Sequence, residues 1–475
     1  MDMNSISQTV SLPKNLTDTG GVRLLTCLSL VTATMVGTGV YTSLGFQLLD
    51  LQSGFSILCL WVLGGLISLC GALSYAELSS RIPRSGGEYT YLSQIYHPSI
   101  GFMAACVSLF AGFAAPIALS SIAFGTYLHA AIPSCTVTFS SVSAVVFISC
   151  FHLRSLKISS LVQNGVTALK FILVGIFVGI GIWKAAKHPS LQALILPSPG
   201  SLSELLKPSS GIALLYVFYA YSGWNAATYI AGEVRERQRT VGLALMLGTA
   251  VVMIFYVLLN AVFITAAPTV DLRGVLNVGS IAANHLLGPL GGRMMSGIIA
   301  IGLLASISAM IWTGPRVTQR VGEDYPILRF FAAVSPHGIP HRALILQLAL
   351  ALAMIAMGSF QTVLVFTQMP LLLCLILGVA GLIVQRTRDK PSNIVLKHPG
   401  RLGLAPGNPT NTILQYRGFR CPLYPIPPLL FIICSLAGLF YSAWSKPWIA
   451  LSGIGIMILP LLLHPWVRRR LSKHS

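Results

Sequence analysis

Residues Leu24–Phe46 read LLTCLSLVTATMVGTGVYTSLGF, an apolar run interrupted near its centre by Gly37-Thr38-Gly39. Residues Gly211–Ala231 read GIALLYVFYAYSGWNAATYIA, with Ser222-Gly223 in the corresponding place. Each run has the length that a bilayer core requires. Glycine and hydroxyl residues at mid-span free backbone amides and carbonyls in hydrocarbon, where an unmet polar group is costly. Such breaks are tolerated only where the freed groups line a protein-enclosed cavity. A pair of them, one in each half of the chain, points to the substrate site of a secondary transporter.

The rest of the chain supports a membrane setting. Apolar residues make up 54% of the 475 residues and Asp, Glu, Lys and Arg only 9%, with a mean hydropathy of +0.77. A soluble multidomain protein is excluded. The sequence predicts an all-α polytopic protein with twelve spans. They lie at about 24–46, 54–77, 99–130, 136–153, 159–183, 211–232, 241–266, 293–319, 342–358, 361–384, 425–443 and 447–467. The net charge of +19 is read as orientation, not as nucleic-acid binding. With both termini cytoplasmic, 24 Lys and Arg fall inside and 6 outside, while Lys170 lies within a span. That split obeys the positive-inside rule and suits an even number of spans in a plasma (inner) membrane. The first twenty residues are polar and the first span is long, so no cleaved leader is expected. The nine cysteines are scattered, without a CxxC pair, and read as small buried hydrophobes.

The spans group as five, five and two, each block of five opening on a broken helix. The organisation expected is a tail at 1–20, a first repeat at 21–184, a second at 211–385, a basic Pro- and Gly-rich loop at 386–424, two further spans within 425–467 and a basic tail at 468–475. Asp271–Leu287 could hold short helices over the cavity.

None of the twelve acids lies in the middle of a predicted span, Glu77 and Glu233 coming closest, at cytoplasmic ends. A relay of buried carboxylates, a metal cage or an enzymatic centre is therefore not expected, nor is any cofactor. Lys170 stands alone inside an apolar segment, which marks it as functional by default. It could exchange a proton during transport. Its ammonium could also stand where a sodium ion would, against first-span carbonyls and the hydroxyls of Ser306 and Ser308, or it could be a static strut. At the first break, the amides opening the second half-helix form a site for a carboxylate. Carbonyls on the near side of that break, and around Tyr219, Ala220 and Ser222, are acceptors suited to an ammonium group. Together they match an α-amino acid.

Six motifs then stand in order. Met35-Val36-Gly37-Thr38-Gly39-Val40-Tyr41 resembles the first-span motif of the amino acid–polyamine–organocation superfamily. Pro83-Arg84-Ser85-Gly86-Gly87-Glu88-Tyr89-Thr90-Tyr91 resembles its signature after span two, and Tyr219-Ala220-Tyr221-Ser222-Gly223-Trp224-Asn225 its sixth-span motif. Val162-Gln163-Asn164 through Lys170 is similar to the fifth span of the L-type branch. Gly314-Pro315-Arg316-Val317, and Arg417-Gly418-Phe419-Arg420-Cys421-Pro422-Leu423-Tyr424-Pro425, also fit. The resemblance covers about residues 20–465.

The resemblance implies a five-plus-five inverted-repeat (LeuT-like) fold with discontinuous helices 1 and 6, moving amino acids by alternating access. It places the substrate carboxylate on the Thr38 and Gly39 amides, and the amine on carbonyls of Met35, Tyr219, Ala220 and Ser222. Val36 and Gly37 belong to the same break. Ala111, Gly112 and Pro116 would shape the side-chain pocket, an aromatic at Tyr219 or Trp224 would help close it, and Lys170 would fill a sodium-like site. Asn225 stands where several acid-coupled or cation-carrying relatives have a carboxylate. Together with the small residues Ala111, Gly112 and Pro116, this favours a neutral side chain. Arg235-Glu236-Arg237-Gln238 replaces the Asn-Pro often found after span six. Cys135 sits where heteromeric L-type members place a cysteine for a partner subunit; its plain reading is an unpaired thiol, with no partner expected. Glu77/Arg81 and Glu233/Arg237 are i,i+4 pairs that could instead form an inner gate with Arg316. The expected activity is sodium-independent, proton-coupled transport of neutral L-amino acids. An obligatory exchanger and a non-transporting amino acid sensor are the alternatives.

Overall fold

The computed structural model describes residues 22–154, 156–336, 338–357, 360–388, 419–445 and 447–469. The expected tail at 1–20, most of the 386–424 loop and most of the basic tail at 468–475 lie outside them. Apart from one bridge between Val22 and Val234, the described chain forms helices, turns and loops.

The first apolar run forms two helices, α1 (Leu24–Met35) and α2 (Gly39–Gln47), with Val36–Thr38 unwound between them. Helix α3 (Gly54–Arg81) is capped by Ser53, whose hydroxyl accepts from the Ser56 amide at 3.3 Å. A short helix, α4 (Glu88–Ile95), links it to α5 (Pro98–Ala131). Helix α5 opens with Pro98 at its first position, where a missing N–H costs nothing. It holds a π-helical stretch at Ser108–Ala114, whose wider turn shifts the face that Gly112 and Pro116 present. Then follow α6 (Val137–His152) and α7 (Leu156–Ala186).

The second broken run gives α8 (Pro208–Tyr221), a turn at Ser222–Asn225 and a 3-10 half-helix at Ala226–Glu233. Helix α9 spans Arg237–Ala266. Helix α10, Val278–Asp324, breaks at Gly288, whose φ of 79° is left-handed. The part after Gly288 starts within a few residues of the 293–319 expected, and the part before it is a separate short helix. That helix and Thr269–Leu272 occupy the segment expected to hold short helices. Helices α11 (His341–Ala356), α12 (Phe360–Arg388), α13 (Ile426–Ser445) and α14 (Pro447–Arg469) complete the chain.

Among the described residues, seven segments are long and apolar enough to cross a membrane, and four shorter apolar helices accompany them. Phe147, Ile172, Ile176, Ile433, Phe440 and Leu462 turn large apolar side chains outward, as lipid-facing surfaces do. The molecule is a multi-pass membrane protein. Inside, α1, α3 and α9 share one apolar core with α8 and α10, while α5, α6 and α11 pack against the other side of α10.

Candidate functional site

The two breaks touch. A Cβ on Gly39 would lie 2.4 Å from Cα of Ala220, and one on Gly223 would lie 2.6 Å from Cγ2 of Thr34. Gly223 also holds a φ of 96°, which an L side chain rarely adopts. Both glycines are therefore set by the close approach of the two unwound segments. Gly37 differs: a Cβ there would find its nearest neighbour at 3.8 Å. Across the contact, Thr38 Oγ1 and the Tyr219 hydroxyl lie 2.5 Å apart.

Most carbonyls freed at the breaks already have donors. The Tyr256 hydroxyl of α9 lies 2.5 Å from the Met35 carbonyl and 2.9 Å from the Ala220 carbonyl and shares its one hydrogen between them. The ammonium of Lys170 donates to the Val36 carbonyl at 2.5 Å and to Ser306 Oγ at 3.2 Å, and Ser306 donates to the same carbonyl at 2.8 Å. Ser222 donates to the Tyr219 carbonyl from its amide at 3.0 Å and its hydroxyl at 2.7 Å. The Val36 and Tyr219 carbonyls thus each take two donors, which engages both lone pairs, while the Ala220 carbonyl keeps one. The N–H of Gly39, opening α2, has no intrahelical partner by geometry, and the positive end of that helix points at the break.

Between the breaks lies a cavity offering about 50 Å³ to the centres of water-sized spheres. Met35, Gly37, Thr38, Gly39, Gly112, Pro116, Tyr219, Ser222 and Asn225 line it, as expected for a shared site. Four expected residues lie elsewhere. Val36 is bound to Lys170, Ala220 sits behind Gly39, and Ala111 packs into the cluster of Leu92, Met103 and Leu371. Trp224 packs edge-on against Tyr75 at 4.9 Å and Phe431 at 5.8 Å. Of the two expected aromatics, Tyr219 is the one at the cavity.

Ser308 does not join Lys170. Its hydroxyl lies 2.9 Å from His152 Nε2. Two residues along an α-helix turn by about 200°, so Ser306 and Ser308 face opposite sides of α10.

Sequence reasoning missed several groups. Thr34, Phe113, Ser120, Tyr229, Met310 and Leu371 also line the cavity. Tyr256 carries only the weak signal of a phenol in an apolar helix, where its hydroxyl must find a partner. No acid is expected in the middle of a span, but two acids outside mid-span are buried all the same, Glu77 and Glu88, both 0% exposed. Glu88 begins α4 outside the spans, but the chain folds it back under the sixth-run break. Its carboxylate accepts from Asn225 Nδ2 at 2.5 Å and from the Tyr229 hydroxyl at 2.5 Å. Glu77 accepts from Arg81 at 2.7 Å and from Arg386 at 2.5 Å.

At the end of the 3-10 half-helix, Arg316 pairs with Glu233 at 2.8 Å. The amide of Val22 donates to the Glu233 carbonyl at 2.9 Å, and that of Arg235 to the Val22 carbonyl at 3.1 Å. The start of α1, the end of the half-helix and the end of α10 are thereby tied together. The side chain of Arg237 lies outside the described ones. Cys135 is a half-buried free thiol.

Comparison with known proteins agrees with this geometry. The chain is 25% identical to the serine/threonine exchanger SteT of Bacillus subtilis (strain 168), over 89% of this chain and 90% of that protein. It is 27% identical to the human cystine/glutamate transporter, over 92% and 82% of the two chains. It is also 25% identical to the mouse b(0,+)-type amino acid transporter 1, over 80% and 78%. Residues 22–461 match the amino acid permease family. That match spans both broken helices and the cavity between them, and the chain belongs to the amino acid permease family, whose members are transporters and not enzymes.

Proposed function

We propose that this chain is a sodium-independent transporter that exchanges neutral L-amino acids by alternating access. Twelve spans in a five-plus-five inverted repeat would rock around the paired breaks, with repeats at 21–184 and 211–385, in a plasma membrane with both termini cytoplasmic. The observation that carries this reading is the Lys170 ammonium on the Val36 carbonyl of the first break. It puts a fixed cation among acceptors where a carrier would otherwise need sodium. The open cavity-facing backbone at Gly37, with the amide end of α2 beside it, supports a carboxylate site. The amine would use the Ser222 carbonyl, since the Tyr219 carbonyl already takes two donors from Ser222. A serine/threonine exchanger among the relatives supports exchange over net uptake.

Proton-coupled uptake is the second reading, favoured by the burial of a lone lysine at the break. Labelled alanine offered to proteoliposomes separates the two. Uptake that needs internal unlabelled amino acid, without sodium or a proton gradient, supports exchange. Accumulation into empty vesicles under an inward proton gradient would make it a symporter, with Lys170 as coupling residue. Saturable binding with no uptake under either condition would make the protein a sensor.

A further inference from the structure

The polar floor of the cavity has an unusual hydrogen inventory. Asn225 and Tyr229 both line the cavity, and Glu88 lies behind them, fully buried. Asn225 Nδ2 donates to Glu88 Oε1 at 2.5 Å and to the Tyr229 hydroxyl at 3.1 Å, which uses both hydrogens of the amide. Tyr229 gives its single hydrogen to Glu88 Oε2. An ionised carboxylate can only accept, so it forces the nitrogen of Asn225 toward itself. That settles the orientation of an amide whose two ends look alike in outline. With three hydrogens turned inward, what Asn225 has left for the cavity is Oδ1.

We infer that Glu88 is a positioning residue for substrate choice: by fixing Asn225 and Tyr229, it makes this end of the cavity a hydrogen-bond acceptor and selects neutral amino acids whose side chain carries a donor. A hydroxyl side chain satisfies Oδ1. An apolar side chain of the same shape leaves a buried acceptor unmet, and a side-chain carboxylate sets two acceptors face to face. Phe113, Met310 and Leu371 add apolar wall to the same cavity. This inference rests on the transport reading above and names the substrate class for the same site.

Threonine and valine are isosteric and differ by a hydroxyl against a methyl. Their inhibition of labelled-alanine exchange in proteoliposomes gives a ratio that does not depend on how much protein folds or how fast it turns over. The wild type should prefer threonine by about tenfold or more. Glu88→Gln introduces an amide that can donate to Asn225 Oδ1 and let the side chain turn over, so the ratio should fall below about threefold. If that variant does not fold, Tyr229→Phe frees one Asn225 hydrogen and should lower the ratio in the same direction. Equal inhibition by threonine and valine in the wild type, or an unchanged ratio in the variants, would overturn the inference. Absence of alanine exchange altogether would instead count against the transport reading.

Discussion

Lys170 and Glu88 show how two buried charges can have different origins. Lys170 was visible in the sequence because it is an ionisable residue deep inside an apolar run. Its three donors find the Val36 carbonyl and Ser306 only because α1 unwinds beside α7. Lys170→Ala removes the cation and leaves the Val36 carbonyl with only the Ser306 hydroxyl as donor, so exchange should fall by about tenfold or more, measured as initial rates in proteoliposomes. Added sodium that restores the rate would support the ion-substitute role; a variant with the wild-type rate would reduce Lys170 to an inert strut. Glu88 was hidden, since it stands outside every apolar run. Burial pushes its carboxyl above the ordinary carboxylate range, against hydrogen bonds from Tyr229 and Asn225 that lower it. The titratable groups facing it are Tyr75 of α3, Tyr91 of α4, Tyr229 of the half-helix and Cys374 of α12, all of which ordinarily ionise above neutral pH. As pH falls, Glu88 gains its proton earlier than a solvated glutamate and returns a donor to the cluster. The threonine-over-valine ratio should therefore be full at pH 8 and drop by about threefold toward pH 5.5. A flat ratio would assign the preference to other groups.

At the scale of helices, the three glycines of the breaks do different work. Gly39 has no room for a side chain because the backbone of Ala220 fills the space. Gly39→Ala should push α1–α2 away from α8, costing about 1–3 kcal/mol as overpacking does, seen as a lower Tm in detergent. Gly37→Ala meets no atom closer than 3.8 Å, yet its methyl would enter the cavity. It should leave Tm nearly unchanged while weakening alanine binding roughly tenfold. Equal effects of the two substitutions on Tm would contradict this division. The π-helical stretch of α5 is a second device of this kind. By changing the pitch at Ser108–Ala114, it lets Gly112 reach the cavity while Ala111 turns into the packing of α12.

Across the whole molecule, the Arg316–Glu233 pair and the Val22 backbone bonds tie the two broken runs to α10 at one end of the cavity. Arg316 is 4% exposed and Glu233 is more open, so the pair is stronger than a surface contact without being a dry one. Glu233→Gln and Arg316→Gln should each destabilise the state described here, and the double variant should lose less than their sum. A double-mutant cycle on thermal unfolding should give a coupling of about 1 kcal/mol or more. Strict additivity would remove this pair from the closure of that end.

By itself the sequence determined the membrane setting, the helical segments, the two breaks, the isolation of Lys170 and nine of the residues around the cavity. Most of these follow from local chemistry: apolar runs of bilayer length, glycine and hydroxyl residues where a helix should continue, and a charge inside an apolar run; Gly112, Pro116 and Asn225 came from the resemblance to the superfamily's motifs. The tertiary structure alone decided which freed carbonyls are already taken by Tyr256 and Lys170, that Ser308 serves His152, that Trp224 faces away, and that Glu88 lies under Asn225. Those facts depend on distances between groups as far apart in the chain as Glu88 and Tyr229. A side chain's burial is a property of what folds over it, and no periodicity or spacing along one segment carries that information.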